Sequence, residues 1–182
     1  METAGHSEYR LQGLPPIIDA SSRTLILGSM PGEVSLNKQE YYGHPRNHFW
    51  PLLYAIWGEG RPPETAYRDR LDFALEQGVG LWDVLAGCER EGSLDADIRK
   101  PEANDFILLL NEYPTIERVF FNGKAAEQLY RKQVLPKLLK RENDTNIGRG
   151  TNITYDTLPS SSPARAMSLQ DKLVDWRKLG DA

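Results

Sequence analysis

The sequence carries a single cysteine, Cys88, in 182 residues. One thiol excludes an internal disulfide framework and any four-cysteine metal or iron–sulfur site. No apolar run reaches the roughly 18–20 residues that cross a bilayer. The opening residues, METAGHSEYRLQG, lack the basic and apolar blocks of a secretory leader. Histidine is also scarce, with only His6, His44 and His48. Positive charge is not in excess: 22 Lys and Arg against 26 Asp and Glu leave a net charge of −4. That balance excludes indiscriminate nucleic-acid binding over the whole surface, while a small local phosphate-binding face stays open. The mild basic clusters at Arg131–Arg141 and around Arg149 read as solvated helix face. There is no internal repeat and no low-complexity linker. These features predict a cytoplasmic protein with no membrane segment.

What is present is an ordinary globular composition, 40% hydrophobic and 26% charged. The chain is long enough to bury a sizeable core as one domain. Residues 1–22 read as a tail and lead-in, with Pro15 and Pro16 preventing helix, and residues 23–182 as a single domain. Arg23–Gly28 is a short apolar run ended by glycine, the pattern of a strand buried on both faces. Asn47–Trp57 reads as a helix with Phe49, Trp50, Leu53 and Ile56 apolar, and Glu64–Gln77 as a second one closed by Gly78. Val79–Trp82 is a strand ending at Asp83. Residues 87–100 show no periodicity and read as loop, and Pro101 opens a helix at its first position that runs to about Tyr113. Glu117–Asn122 is a third strand, followed by a helix over Lys124–Gln133 and a short one over Leu135–Arg141. Glu142–Gly150 reads as a surface turn and Asn152–Leu158 as the fourth strand. Ser168 caps a final helix with Leu169, Leu173, Trp176 and Leu179 on one face.

Strands alternating with helices predict a three-layer α/β/α fold around a central four-stranded, mainly parallel sheet. Ligands bind such sheets at the carboxyl ends of the strands. Those ends are GSMPG, Trp82-Asp83, Asn122-Gly123 and Pro159-Ser160-Ser161-Ser162, so polar and backbone-permissive residues gather on one edge. The first end opens a long loop, Leu25–Trp50, and loops of that length inside a compact domain are usually functional. Gly28 and Gly32 permit sharp turns and close approach of a ligand to the backbone. No lysine follows them as a P-loop requires, and the spacing is not that of a dinucleotide site.

Several residues carry more than one reading. Ser160–Ser162 can hold a phosphate at a strand–helix junction, supply a nucleophile, or simply cap a helix; no G-x-S-x-G elbow surrounds the run. His44 and His48 are four apart, but Pro45 interrupts them and no third ligand accompanies them, so a metal site is not expected. Asp83 can serve as a base, read a ring N–H, or cap the next segment. Asn47 can orient water through its paired donor and acceptor, or serve as a helix cap.

Taken together, GSMPG, YYGHPRNHFW, GVGLWD and LPSSSPA resemble, in order and spacing, the uracil-DNA glycosylase superfamily, nearest to its hypoxanthine-DNA (deoxyinosine) glycosylase branch. The resemblance covers about residues 23–180. It implies an enzyme that flips a deaminated base out of the duplex and hydrolyses its N-glycosidic bond, acting as a monomer on DNA without cofactor or metal. It places Gly28, Ser29, Met30, Pro31 and Gly32 in the wall of the base pocket. The family's water-activating Asp or Asn falls at Met30, which can do neither. The hypoxanthine branch instead implies Asn47 as the catalytic residue. Tyr42 then falls where an aromatic stacks on the base, and Asp83 where uracil enzymes carry a base-reading asparagine. Pro159, Ser160, Ser161, Ser162 and Pro163 match the loop that grips DNA. No lysine stands in these motifs, so a Schiff-base route is not implied. Competing expectations are a uracil or xanthine glycosylase of the same superfamily, a non-catalytic damaged-DNA binder and, weakest, a serine hydrolase using Ser161 or Ser162.

Overall fold

The computed structural model describes residues 10–145 and 152–181. In chain order its elements are β1 (Arg10–Gln12), β2 (Thr24–Gly28), α1 (Glu33–Lys38), α2 (Phe49–Trp57), α3 (Tyr67–Glu76), β3 (Val79–Asp83), β4 (Leu85–Glu89), β5 (Arg99–Ala103), α4 (Phe106–Glu112), β6 (Arg118–Asn122), α5 (Lys124–Gln133), α6 (Leu135–Thr145), β7 (Thr154–Leu158) and α7 (Leu169–Trp176). Short 3-10 turns occupy Asp95–Asp97 and Arg177–Gly180.

The main sheet has the order β3-β2-β6-β7, and every pairing in it is parallel. Parallel neighbours need crossover helices, and those helices cover both faces. The strand alternation decides which residue meets which layer. Leu25, Leu27, Val119 and Phe121 pack with Phe106, Leu109, Leu110, Ala126 and Tyr130 on one side. Ile26, Leu81 and Phe120, offset by one residue, pack with Phe49, Leu53, Phe73 and Trp176 on the other. All five residues of β2 are buried, as a central parallel strand requires. The expected α/β/α architecture is therefore the observed one.

Several local expectations need correction. Residues 87–100 are loop only in part. Residues 90–98 form an irregular connection with one 3-10 turn, but 87–89 end β4 and 99–100 begin β5. β4 pairs antiparallel with both β1 and β5 in a second, three-stranded sheet. Two irregularities in the β4–β5 register, and strands made of Gly, Cys, Arg, Lys and Pro, hid any alternation. Pro101 lies within edge strand β5, where its missing N–H costs no ladder bond. The helix expected to start there begins at Phe106, capped by the Asp105 carboxylate, which accepts from Leu108 N. The helix expected from Asn47 starts at Phe49, and the one expected from Glu64 starts at Tyr67. Glu142–Thr145 extend α6 rather than turning, and the rest of that proposed turn lies outside the described residues. The six-residue α1 inside the long loop had no sequence signal beyond Gly32 before it; it stops where Gln39 turns left-handed at φ 56°.

Part of the lead-in lies against the domain. Leu14 is buried, Gly13 N donates to Ala86 O at 2.8 Å, and Ile17 exchanges two backbone hydrogen bonds with Leu81. At the other end, Trp176 Nε1 donates to Pro159 O at 2.8 Å and ties α7 to the end of β7.

Phe121 is 1% exposed and lies 5.2 Å from the Tyr130 ring and 6.0 Å from the Tyr155 ring. Its replacement by alanine is expected to remove about 3–5 kcal/mol of stability. Urea denaturation checks this, and an unchanged midpoint would contradict the packing described.

Candidate active site

The carboxyl ends of β2, β3, β6 and β7 converge on a cavity of about 160 Å³. It is lined by residues from Gly28 to Ser35, Tyr41, Tyr42, His44, Asn47, Asp83, Ser93, Asp95, Asn122 and Ser160 to Pro163. Register explains the first pair. Gly28 and Asp83 are the last residues of adjacent parallel strands and stand opposite one another. A Cβ on residue 28 would lie 2.5 Å from Asp83 Oδ1 and 3.4 Å from the Tyr42 hydroxyl. Glycine is there because two polar side chains occupy the space of its own.

The rest of the first motif is fixed from the far side by the β4–β5 connection. Ser29 Oγ donates to Asp95 Oδ1. The buried guanidinium of Arg90 donates to Pro31 O at 2.6 Å and to Gly92 O at 2.8 Å. Ser93 Oγ accepts from Glu33 N at 2.9 Å, at the start of α1 just after Gly32. Met30 is 7% exposed and belongs to the apolar cluster with Trp82, Val84 and Phe106. It gives the cavity apolar surface and no group that can hold water.

Asp83 is 4% exposed, and its Oδ2 is buried without a hydrogen-bond partner. Burial, and then the nearby charge of Asp95, push its carboxyl up to about 7, while Arg90 opposes them. The group is thus poised between acid and carboxylate at neutral pH, with one oxygen unused by the fold.

Tyr42 takes the left-handed conformation at φ 56°, which a bulky residue adopts only under constraint. Its ring stacks on Phe49 at 3.8 Å and 17°, so one face is covered while the residue lines the cavity. The hydroxyl is buried without closing a hydrogen bond. Burial, and then Asp83, raise its pKa, against a smaller lowering by the Asn122 amide, so the phenol stays neutral. Asn47 lies just ahead of α2. Its N–H donates to His44 O at 2.9 Å and its Oδ1 accepts from Phe49 N at 2.9 Å. The capping role and a place in the cavity wall therefore coexist in one side chain.

The Ser160–Ser162 turn is held from three directions. Asn122 Nδ2 donates to Ser161 Oγ at 2.8 Å, and Ser161 N donates back to Asn122 Oδ1 at 2.9 Å. His48 N donates to Ser161 O at 2.9 Å, and the buried Lys172 Nζ donates to Ser162 O at 3.2 Å. Ser160 packs over Gly123, whose φ of 96° favours glycine; a Cβ there would also stand only 3.0 Å from the Ser160 Cβ. Pro159 is the one residue of the predicted loop that does not line the cavity; its carbonyl is bonded to Trp176. No histidine side chain bonds any of these serines among the described residues, which leaves the hydrolase reading without a base. His44 Nδ1 accepts from Arg46 N at 3.0 Å. Among the described residues, no group of three or more His, Cys, Asp or Glu is placed to hold a metal ion.

Sequence reasoning missed Asp95, Ser93, Arg90 and Lys172. The end of β6 had marked Asn122, but nothing in the sequence paired it with Ser161. Arg90, Ser93 and Asp95 lay in the stretch read as loop.

Strand ends that converge on a small cavity, beside a stacked tyrosine and an amide-clasped serine loop, define an α/β protein whose ligand site lies at the carboxyl edge of its sheet. The sequence profile of the Uracil DNA glycosylase superfamily matches residues 15–179, and the chain belongs to that superfamily. It is 39% identical over 165 residues, 91% of this chain and 94% of the relative, to a protein named hypoxanthine DNA glycosylase from Methanosarcina barkeri. A protein of the same name from Methanosarcina acetivorans is 34% identical over 168 residues, covering 92% and 96% of the two chains. A solution NMR structure described as a candidate uracil DNA glycosylase of Methanosarcina acetivorans superposes with a TM-score of 0.72 at 33% identity, covering 94% of this chain and 99% of the other. No helix among the described residues is long and apolar enough to cross a membrane.

Gly28→Ala is expected to keep the fold but displace Asp83. A misplacement of about 1 Å at a reacting centre costs on the order of 100-fold in rate. Single-turnover base release measured beside thermal unfolding checks it; wild-type turnover in a folded variant would show that the Gly28–Asp83 approach is dispensable.

Proposed function

We propose that the chain is a monofunctional DNA glycosylase of base-excision repair whose preferred substrate is hypoxanthine in deoxyinosine. As a member of its superfamily with relatives named as DNA glycosylases, it is a hydrolase of N-glycosyl bonds acting on deaminated bases. The observation that carries the hypoxanthine reading is the unpartnered, buried Asp83 oxygen beside the stacked Tyr42, in a chain similar to two proteins named for that base. Hypoxanthine presents a ring N1–H that adenine lacks, and an ionised Asp83 accepts it. Adenine offers an unprotonated ring nitrogen there and leaves a buried charge unpaired, which is a strong basis for rejection.

In this reading the flipped base enters the cavity and lies on the free face of Tyr42. The C1′–N9 bond breaks with its electron pair passing to the base, and the sugar becomes oxocarbenium-like. A water held by Asn47 attacks C1′ and gives up its proton to solvent. Hydrogen bonds to the leaving base stabilise its negative charge. Met30 supplies no competing base, so orientation and electrostatics carry the rate. The Ser160–Pro163 turn grips the DNA strand, and the enzyme works as a cytoplasmic monomer.

Asn47→Ala is expected to lower hypoxanthine release by about 100- to 1,000-fold while the protein stays folded. Abasic sites scored on a panel of duplexes holding hypoxanthine, xanthine or uracil test both residue and preference. Uracil release well above hypoxanthine would reverse the assignment, an outcome to which the similarity to a candidate uracil enzyme lends interest.

The protonation of Asp83 gives a further expectation. Its folded pKa of about 7 lies above the ordinary 3.8, so the folded chain keeps a proton that the unfolded chain releases. Stability from this group is complete below pH 4 and lost as pH rises through 7. Asp83→Asn should thus gain on wild type across that window, by on the order of a few kcal/mol. Conversely, kcat/KM for hypoxanthine should rise between pH 6 and 8 as the accepting carboxylate forms, and Asp83→Asn should flatten that limb. A pH profile identical in variant and wild type would remove Asp83 from base reading.

A further inference from the structure

The wall of the base cavity is acidic. Glu33, Asp83 and Asp95 line it from three separate places: the start of α1, the end of β3 and the β4–β5 connection. No lysine or arginine lines it, and His44 is the only basic side chain there among the described residues. None of the three carboxylates forms an ion pair among the described residues. The guanidinium of Arg90 stands behind the wall, committed to Pro31 O and Gly92 O. Its charge opposes the others at Asp83, but burial and Asp95 together outweigh it. After burial itself, the charge of Asp83 is the next cause that raises Tyr41 and Tyr42. Asp83 is 4% exposed, and its Oδ2 has no partner in the protein. Such a buried acceptor is unfavourable until a ligand supplies a proton or a positive charge.

A cavity of this kind separates bases by charge. A neutral purine departs with the electron pair of its C1′–N9 bond and becomes an anion facing carboxylates. Hydrogen bonds must offset that repulsion. A purine alkylated on a ring nitrogen carries a fixed positive charge, and the same electron pair makes it neutral. Positive charge then moves from base to sugar rather than being created, so the carboxylates favour it from binding through to the transition state. A gain shared by both states appears in kcat/KM. Two further features suit a cation. Asp83 Oδ2 can accept a charge-assisted hydrogen bond. The face of Tyr42 not covered by Phe49 presents the negative side of its ring quadrupole. Met30 supplies no base, and a leaving group that departs neutral asks for little help.

We propose that the protein also excises purines made cationic by alkylation of a ring nitrogen, 7-methylguanine being the member whose edge repeats that of hypoxanthine. Both bases place an N1–H beside a C6 carbonyl, and the 2-amino group of 7-methylguanine adds donors in a cavity rich in acceptors. The C1′–N9 bond breaks, its electron pair passes into the imidazolium ring, and neutral 7-methylguanine leaves. Water adds to C1′ and gives its proton to solvent. This second activity rests on the glycosylase reading for its bond and its water; the substrate class is what the acidic wall adds.

Three duplexes identical but for one nucleotide, holding hypoxanthine, 7-methylguanine or guanine, test it. Released base is separated by chromatography, spontaneous loss is subtracted, and kcat/KM is compared. The wild-type protein should release 7-methylguanine many-fold above the spontaneous rate and leave guanine in place. Glu33→Gln and Asp95→Asn each remove one charge while keeping the shape of the side chain. Each should lower the ratio of 7-methylguanine to hypoxanthine kcat/KM several-fold. Both rates come from one preparation, so a loss of folded protein cancels from the ratio. A ratio unchanged in both variants would overturn the proposal, as would release of guanine as fast as 7-methylguanine. Hypoxanthine release with 7-methylguanine lost only spontaneously overturns the proposal and keeps the glycosylase reading. Release of 7-methylguanine alone supports the proposal and overturns the preference for hypoxanthine. Release of neither overturns both.

Discussion

The site depends on one contact between neighbouring parallel strands. β2 and β3 end in register, so the last residue of one must share its space with the last residue of the other. Gly28 yields that space, and Asp83 fills it with a carboxyl group cut off from solvent. From this follow the raised pKa of Asp83, the position of the Tyr42 hydroxyl over the same glycine, and the free Oδ2. A side chain at residue 28 would oblige each of these to move. The fold thus creates an energetically unfavourable buried acid at the place where a ligand's N–H can satisfy it.

Around that contact the molecule divides its work between two sheets. The parallel sheet supplies the four strand ends, and the antiparallel β1-β4-β5 sheet holds the first motif from outside through Arg90, Ser93 and Asp95. On the opposite side, Asn122 and Lys172 fix the serine turn. Functional side chains therefore rest on groups that are themselves held. Preorganisation of this kind suits a reaction driven by orientation and electrostatics rather than by a strong base.

The parallel sheet was legible because central strands buried on both faces read as short apolar runs, and TLILG, VGLWD and RVFFN are such runs. The strand-end rule places Gly28, Asp83 and the serines on one edge, where they line the cavity. What stayed hidden had no period to read. β4 and β5 are irregular in register, and β5 is largely exposed and carries a proline, so neither shows the alternation that marks a strand. Asp95 and Arg90 consequently looked like loop charges. Lys172 looked like one polar position on an amphipathic helix, because its burial depends on a turn ten residues earlier in the chain.

The clasp between Asn122 and Ser161 has a consequence for the life of the chain. Its partners are 39 residues apart, and Ser29 and Asp95 are 66 apart. No local fragment contains even half a pocket, and such distant pairings close late in folding because loop-closure entropy must be overcome first. A chain emerging from synthesis would bury most of its sheet before the serine turn arrives. Until α7 docks and brings Lys172 beneath that turn, the molecule has most of its sheet but an incomplete cavity wall. The closed pocket is the last thing this sequence acquires.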